Sequence, residues 1–341
     1  MLLGGSVWLF LVYPSGHGPG IGRPVEIDLA EHTVASELAA RLAAAGLVSQ
    51  PNLFAFWVRV AGGTDRVAGG PHLLSDDLGS GELLARLERG ASARTTRVTF
   101  PEGWNRFDVA RRLQDRGVTS LRPFLEATTD AALLRELAID GDSAEGFLFP
   151  ATYDLPFDSD PRDVVRRMKR EFDRRWDTLA RTHASTMTDL MTSADLTLRG
   201  VVTLASLVEK EAAVDDERPI IASVFLNRLR DPSFHPKRLE CDPTASYGCL
   251  VAPDRAASCV AFAGKATAAI EHDPDNPYST YTHEGLPPGP IANPSMKSIE
   301  AVLVPARSRF FFFVAKGERR HAFSETYEAH TENVNALRRS P

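Results

Sequence analysis

Apolar residues recur at helical spacing along much of the chain, and short apolar or alternating runs between these stretches are typical of strands. Near the N terminus the pattern predicts, in order, a strand at "VEIDL", helices at "VASELAARLAAAGL" and "PNLFAFWVRVA", a strand at "HLLSD" and a helix at "SGELLARLERG". The glycine- and proline-rich "SGHGPGIGRP" before them predicts a linker. We therefore expect a terminus and linker over residues 1–24 and a small module over residues 25–92.

Residues 93–341 predict a larger domain. Its pattern indicates a strand at "TTRVTF", a turn at Pro101 to Gly103 and an amphipathic helix that ends at Gly117, followed by a helical stretch from Pro123 to Ala138. The segment "EGFLFPATYDLP" is typical of packed irregular chain, and a long charged helix follows it at "RDVVRRMKREFDRRW". Residues 231–293 predict long ordered loops with short helices. At the end, "RFFFFVA" and "HAFSET" predict a buried hairpin, which a helix closes. The predicted fold class is α+β.

Two glutamates interrupt an otherwise apolar helical pattern in "LASLVEKEAAVDDERPIIASVFLNRL". On a helical wheel, Val201, Leu204 and Val208 form one stripe, and Glu209 and Glu211 fall on its two shoulders. A second helix is predicted directly after them, with Pro219 in its first turn. Spacing alone does not choose between the two glutamates.

A carboxylate on the shoulder of a buried helix has two interpretations. It can pair with an arginine or cap a neighbouring helix, which is a structural role. Alternatively, apolar surroundings raise its pKa, so that it keeps a proton near neutrality and can donate it to a leaving oxygen. Cleavage of a glycosidic bond needs such an acid. A second carboxylate is usual, but one acid suffices when a hydroxyl of the substrate is the nucleophile.

The composition limits the function classes. The 341 residues contain 43% hydrophobic and 25% charged residues, as in a soluble globular protein, and the net charge of -6 gives no reason to expect nucleic-acid binding. The first 22 residues lack charged side chains, and Leu2 to Val12 is mostly apolar but too short for a membrane span. We expect this stretch to be the end of a truncated membrane anchor or signal; the alternative is a stray apolar terminus.

The three cysteines, Cys241, Cys249 and Cys259, lack the paired spacing of a zinc site. In an exported protein, Cys241 and Cys249 could close a small disulfide loop. The odd number leaves one thiol free, and the sequence does not determine the pairing.

Several long motifs in fixed order carry a family resemblance. The chain reads "PEGWNRFDVARRL", "EGFLFPATY", "ASLVEKE", "ERPIIASVFLNRL", "LECDPTASYG", "YSTYTHEGLPPGPIANPS" and "FFFVAKGERRHAFSETYEAH". Together these resemble the YceG-like, or MltG-type, endolytic murein transglycosylases over nearly the whole chain. The small module before them resembles a LysM-like domain, a fold that holds glycan chains.

The resemblance implies roles for individual residues. Glu211 corresponds to the catalytic acid, which would protonate the oxygen between MurNAc and GlcNAc and then act as the base while the MurNAc 6-hydroxyl attacks. This chemistry leaves a 1,6-anhydro end and requires no metal or cofactor. Glu209 is the fallback. The polar and aromatic positions expected around the glycan are Asn227, Asp242, Thr244, Tyr247, Tyr281 and Asn293, for each of which a structural role is an equal alternative.

The sequence departs from the family pattern at Glu240, Ser279 and Ser295, and the charge of Glu240 could raise the pKa of Glu211 if the two are close. Two other functions stay open: a peptidoglycan-binding protein without catalysis, and a muramidase-type hydrolase whose second carboxylate is Glu209, Glu217, Glu240 or Asp242. The family resemblance implies peptidoglycan strands as the substrate, cell-wall synthases as partners, and an inner-membrane anchor with a periplasmic catalytic domain.

Overall fold

The computed structural model describes residues 13–339, except residues 15, 17, 22, 31, 89–94 and 195. The apolar stretch at residues 2–12 therefore lies outside the described residues. The chain divides into two compact units, residues 1–95 and 96–341, each with its own hydrophobic core. Within the described residues, the structure contains no helix that is both long enough and apolar enough to cross a membrane.

The first unit has the predicted order of elements. They are β1 (Pro24–Leu29), α1 (Ala35–Ala44), α2 (Pro51–Val60), β2 (Gly70–Ser75) and α3 (Ser80–Glu88). The two strands pair antiparallel, with Ile27 opposite His72. Buried leucines and aromatic residues from the three helices pack together, including Leu38, Phe54 and Leu83. The 3.6-residue apolar period of the helices thus accounts for this core.

The second unit begins with a short sheet and a group of helices. Its first elements are β3 (Thr95–Thr99), α4 (Arg106–Asp115), α5 (Leu121–Ala127), α6 (Ala131–Glu136), β4 (Thr152–Pro156) and the long α7 (Pro161–Thr182). β3 and β4 pair with each other. The single helical stretch predicted from Pro123 to Ala138 is wrong. Asp130 breaks it, because its side chain accepts a hydrogen bond from the Leu133 amide and caps a new helix.

Two adjacent helices form the centre of this unit. After α8 (Ala184–Ala194), the chain builds α9 (Leu198–Glu211), a 3₁₀ turn (Asp215–Glu217) and α10 (Arg218–Arg230). Residues 201–208 of α9 are all buried, so this helix is surrounded by protein along its middle. α9 and α10 both pack against α13 (Met296–Leu303). The predicted helix pair is confirmed, with Pro219 in the first turn of α10.

Ordered loops and a hairpin complete the second unit. The loops contain α11 (Asp242–Val251), a 3₁₀ turn (Ala257–Ala261) and α12 (Ala268–Glu271), and the chain ends with β5 (Phe312–Gly317), β6 (Arg320–Ser324) and α14 (Tyr327–Arg339). β5 and β6 pair antiparallel, as predicted. The hairpin is not fully buried, however. Its first half packs against the core through partly buried residues, and its turn is exposed.

Candidate active site

The C-terminal turn of α9 carries both glutamates. Thr197 caps the start of the helix by accepting a hydrogen bond from the Gly200 amide, and the helix ends at Glu211. A carboxylate at a helix C terminus lies at the negative end of the helix dipole, which disfavours its ionised form. The two glutamates share this position, so their surroundings decide what each can do.

Glu209 is held in place by several hydrogen bonds. Its Oε2 accepts hydrogen bonds from the Arg218 guanidinium (3.1 Å), the Ser295 amide (3.0 Å) and hydroxyl (2.6 Å), and the Ser298 hydroxyl (2.7 Å). The Glu209 side chain is 6% exposed. These bonds tie the end of α9 to the starts of α10 and α13. With donors from two other segments of the fold, the Glu209 carboxylate has a structural role.

Glu211 has very different surroundings. It is partly buried, and its Oε1 accepts a hydrogen bond from the Cys241 thiol at 3.1 Å. Burial raises the pKa of Glu211, and the negative charge of Asp242 adds to the rise. The thiol hydrogen bond and the positive charges of His321 and Arg228 oppose it. Glu211 is therefore the glutamate of this helix that is suited to keep a proton and deliver it.

Glu211 lies on the wall of a cleft of about 780 Å³ within the second unit. The lining comes from the start of α4, the end of α9, α11 and two loops: Asn105, Asp108, Arg111, Lys210, Glu211, Asp242, Pro243, Ser246, Tyr247, Leu250, Phe262, Gly264, Lys265, Ala266 and Ile291. Carboxylates, amines, an amide, a hydroxyl and aromatic rings all face this space. Such a mixture suits a polar ligand with both hydroxyl groups and apolar faces, as a saccharide has.

Two residues predicted to bind the glycan line this cleft. Asp242 begins α11 and Tyr247 lies one and a half turns further along it. Tyr281 is adjacent, because its hydroxyl donates a hydrogen bond to Oδ1 of Asp242 at 2.5 Å. Burial and this carboxylate raise the pKa of the Tyr281 hydroxyl, so it stays protonated as a donor. The structure therefore brings Asp242, Tyr247 and Tyr281 together near Glu211.

The other predicted residues have structural partners instead. Thr244 is fully buried, and its hydroxyl donates to the Cys241 carbonyl (2.6 Å). Asn293 is also buried, and its amide group joins the Trp104 carbonyl and the Leu148 amide. Asn227 donates to the carbonyls of Ser308 (3.1 Å) and Phe310 (2.9 Å) and lines a separate cavity of about 410 Å³. These three residues do not line the cleft beside Glu211.

The remaining hydrolase candidates are engaged elsewhere. Oε2 of Glu217 lies 2.7 Å from Nδ1 of His321, and Oε1 of Glu217 accepts from the His321 amide. Glu240 has a left-handed backbone (φ 50°), and its carboxylate pairs with Arg228 at 3.3 Å. The sequence suggested Glu240 as the charge that raises the pKa of Glu211. The structure gives that place to Asp242, because Glu240 is directed to Arg228.

The disulfide differs from the pairing considered above. Cys249 bonds to Cys259, and Cys241 is the free, buried thiol. The reason is helical geometry. Cys241 directly precedes α11 and Cys249 lies eight residues along it, a rise of about 12 Å. A disulfide needs Cα atoms within about 7 Å. The sequence pattern read this segment as a loop and so could not exclude the pair.

Comparison with known proteins shows the family of this chain. The model of the YceG-like family matches residues 27–336. The chain belongs to the YceG-like family. Its relatives include the endolytic murein transglycosylase of Bacillus subtilis (strain 168), which is 27% identical over 90% of this chain and 83% of the relative. The enzyme of the same name from Streptococcus pneumoniae serotype 2 is 28% identical over 91% of this chain, which spans 58% of that relative's length.

A solved structure shares the fold. The YceG-like protein of Listeria monocytogenes matches 92% of this chain and 99% of its own, with a TM-score of 0.56 and 23% sequence identity. At this identity the likeness concerns the fold alone. It extends to both units of this YceG-like chain.

Sequence reasoning on this YceG-like chain missed two residues of the site. Cys241 was considered only as a disulfide partner, although it contacts Glu211. Glu145 was read as part of an irregular segment, yet it is fully buried and accepts a hydrogen bond from Tyr247 at 2.8 Å. A signal for Glu145 was present in "EGFLFP", where a charged residue stands at the start of an apolar run. A buried carboxylate requires partners from elsewhere in the fold.

Proposed function

We propose that this chain is an endolytic lytic transglycosylase of peptidoglycan. It cleaves the bond between MurNAc and GlcNAc in nascent glycan strands, forms a 1,6-anhydro-MurNAc end and so stops strand elongation. The names of the B. subtilis and S. pneumoniae relatives support this activity. The observation that carries the proposal is the contrast between the surroundings of Glu211 and those of Glu209. Glu211, whose pKa is raised, lines the cleft, while Glu209 is fixed by Arg218 and two serines.

The reaction uses one carboxyl group twice. Protonated Glu211 donates its proton to the glycosidic oxygen as the bond to the anomeric carbon breaks. The resulting carboxylate then takes the proton of the MurNAc 6-hydroxyl, whose oxygen bonds to the anomeric carbon. Glu211 ends protonated, and no water is consumed. Asp242, with its hydroxyl partner Tyr281, faces the same space and can stabilise the positive charge that develops on the sugar ring.

The hydrolase alternative rests on Asp242. It is the residue among the four suggested second carboxylates that lines the cleft with Glu211. A hydrolase would use Asp242 to activate water and would leave a reducing end. The binding-protein alternative requires no cleavage at all. The products of the reaction therefore separate the three functions.

The test is mass spectrometry of purified glycan strands after incubation with the wild type, with Glu211→Gln and with Glu332→Gln. Glu332 is exposed on α14, so its variant is a matched control for the loss of a carboxylate. We expect anhydro-MurNAc ends from the wild type and the control, and none from Glu211→Gln. Reducing ends would establish the hydrolase, and unchanged strands from folded wild type would favour the binding protein.

We further propose that the first unit is a LysM-like module that holds the glycan. Its support is the order β1, α1, α2, β2, with the two strands paired antiparallel. Hydrogen–deuterium exchange on the whole chain tests this: added glycan strands should protect amides within residues 25–92. Protection confined to the second unit would contradict it.

The location and partners of the chain are also proposals. We propose a single-pass inner-membrane protein with its catalytic domain in the periplasm, working beside cell-wall synthases. The apolar composition of residues 2–12 and the resemblance to the family support an anchor. Fractionation of cells that produce the natural full-length protein should find it with the membranes, and recovery in the soluble fraction would contradict the anchor.

A further inference from the structure

Glu145 is a carboxylate that the proposed reaction does not use. It lies between α6 and β4 and is 0% exposed. Its Oε2 accepts hydrogen bonds from the Arg106 amide (2.9 Å) and the Tyr247 hydroxyl (2.8 Å), and its Oε1 accepts from the Asn293 side-chain amide (3.0 Å). A buried carboxylate is strongly destabilising unless it is paired in this way.

The partners of Glu145 come from three segments that build the cleft. Arg106 is the first residue of α4, and the turn around it supplies Asn105, Asp108 and Arg111 to the lining. Tyr247 lies on α11, lines the same cleft, and also lines a second cavity of about 240 Å³. Asn293 lies in the loop that precedes α13, and Ile291 of the same loop lines the cleft. Glu145 thus connects three segments that form the walls of the cleft beside Glu211.

The chemistry of these bonds depends on the charge of Glu145. The Arg106 amide and the Asn293 nitrogen can only donate, so they favour the ionised form. If Glu145 gains a proton, the Tyr247 oxygen is the partner that can accept it, and this hydrogen bond reverses. The Tyr247 hydroxyl proton must then turn to another acceptor. Protonation of Glu145 therefore reverses its hydrogen bond with Tyr247 and weakens the bonds that it accepts from the Arg106 amide and the Asn293 side chain.

Several groups facing Glu145 affect this proton. Burial raises its pKa to about 7, while the amide and charge of Arg106 and the Tyr247 hydroxyl oppose the rise. Tyr278 is close enough to interact electrostatically with Glu145. Asp142, which also interacts electrostatically with Tyr278, is paired with Arg199 at 3.1 Å. The positive charge that faces Glu145 is thus Arg106 on α4, and the aromatic hydroxyls come from α11 and the loop at Tyr278.

We propose that Glu145 is a positioning residue of this cleft, which acts through Tyr247 and the start of α4 to hold the wall that binds the glycan. This inference rests on the proposed function. Ionised Glu145 fixes the wall in its binding shape, and protonated Glu145 loosens it. The affinity for glycan therefore falls as Glu145 gains its proton, whereas the chemical step follows Glu211.

The experiment measures KM and kcat on purified glycan strands between about pH 6 and about pH 8. The proteins are the wild type, Glu145→Gln, Tyr247→Phe and the exposed control Glu332→Gln. In the wild type and the control we expect KM to rise about fivefold from the upper to the lower pH, the effect of one net hydrogen bond. In Glu145→Gln and Tyr247→Phe, KM should be high and independent of pH. The pH dependence of kcat should be the same in all four proteins.

Two outcomes would overturn the proposal: a wild-type KM that does not change over this range, or a folded Glu145→Gln that keeps the wild-type profile. If Glu145→Gln does not fold, Tyr247→Phe decides, because it removes a single hydroxyl and keeps the ring. A purely structural role would lower thermal stability without flattening the KM profile. Failure of the proposed reaction is detected separately, by titrating Glu211→Gln with glycan strands. A pH-dependent Kd for Glu211→Gln, together with no cleavage product from the wild type, would retain the role of Glu145 and reject the lyase.

Discussion

The thiol of Cys241 donates a hydrogen bond to Oε1 of Glu211 across 3.1 Å, at the wall of the cleft. The backbone of Cys241 is fixed on both sides. Its amide donates to the Thr280 hydroxyl (2.9 Å), and its carbonyl accepts from Thr244 (2.6 Å). Burial and the Glu211 charge raise the pKa of the thiol well above its usual value. Cys241 is therefore a permanent, weak donor to Glu211 rather than a nucleophile.

Changing Cys241 should shift the pH range of activity. The donor stabilises ionised Glu211, so Cys241→Ala removes a force that lowers its pKa. The pKa of Glu211 should rise, and the alkaline fall in kcat should move to higher pH. Cys241→Ser supplies a stronger donor and should move the fall to lower pH. The measurement is kcat against pH for the three proteins. Identical alkaline limbs would show that the contact does not influence the acid.

Glu209→Gln and Glu211→Gln should change the free energy of unfolding in opposite directions. Glu209→Gln leaves buried Arg218 without its inner carboxylate, so we expect a loss of about 3 kcal/mol in the free energy of unfolding. Glu211 has a raised pKa in the folded state, so the wild type loses stability as the pH rises above the unfolded pKa, and this loss is complete once the pH passes the folded pKa. Glu211→Gln should remove that loss.

Thermal unfolding at an acidic and an alkaline pH measures both effects. Glu211→Gln should match the wild type at the acidic pH and be more stable at the alkaline one. Glu209→Gln should unfold at a lower temperature than the wild type, because buried Arg218 loses its inner carboxylate. Equal destabilisation by both substitutions would contradict the distinct roles given to the two glutamates.

The disulfide should be detectable by counting thiols. Cys249 and Cys259 are bonded, and Cys241 is free. Denatured, unreduced protein should therefore titrate only the Cys241 thiol, and reduction should release the other two. Replacing Cys249 and Cys259 together with serine should cost about 2 to 3 kcal/mol, because the bond closes a short loop. A peptide map that links Cys241 to either partner would contradict the structure.

Two of the residues predicted to bind the glycan should behave differently on substitution. Asp242→Asn removes a negative charge from the cleft, and this charge accepts the hydrogen bond of the Tyr281 hydroxyl. The substitution should therefore weaken glycan binding. Asn227→Ala breaks two hydrogen bonds to the chain at residues 308–310 and should cost about 1 to 3 kcal/mol of stability with little effect on affinity. Binding titrations and thermal unfolding of both variants separate the roles. Weaker binding by a stably folded Asn227→Ala would place Asn227 in the site after all.

The sequence by itself determined the features that depend on residues close together in the chain. Apolar periodicity located α9 and α10, and "RFFFFVA" with "HAFSET" indicated the final hairpin, because these patterns arise within one element. It also placed Glu209 and Glu211 on the two shoulders of one helix. The motifs were long enough to indicate the family, and through it to favour Glu211.

Tertiary structure decided what depends on residues that are distant in sequence. Ser295 and Ser298, which fix Glu209, lie more than 80 residues from it, and Cys241, which contacts Glu211, lies 30 residues away. The same long-range packing buried Asn293 and Thr244, turned Asn227 toward residues 308–310 and joined Glu145 to Tyr247. The pKa of a carboxyl group depends on burial and on the charges around it, and no local pattern specifies which distant side chains will surround it.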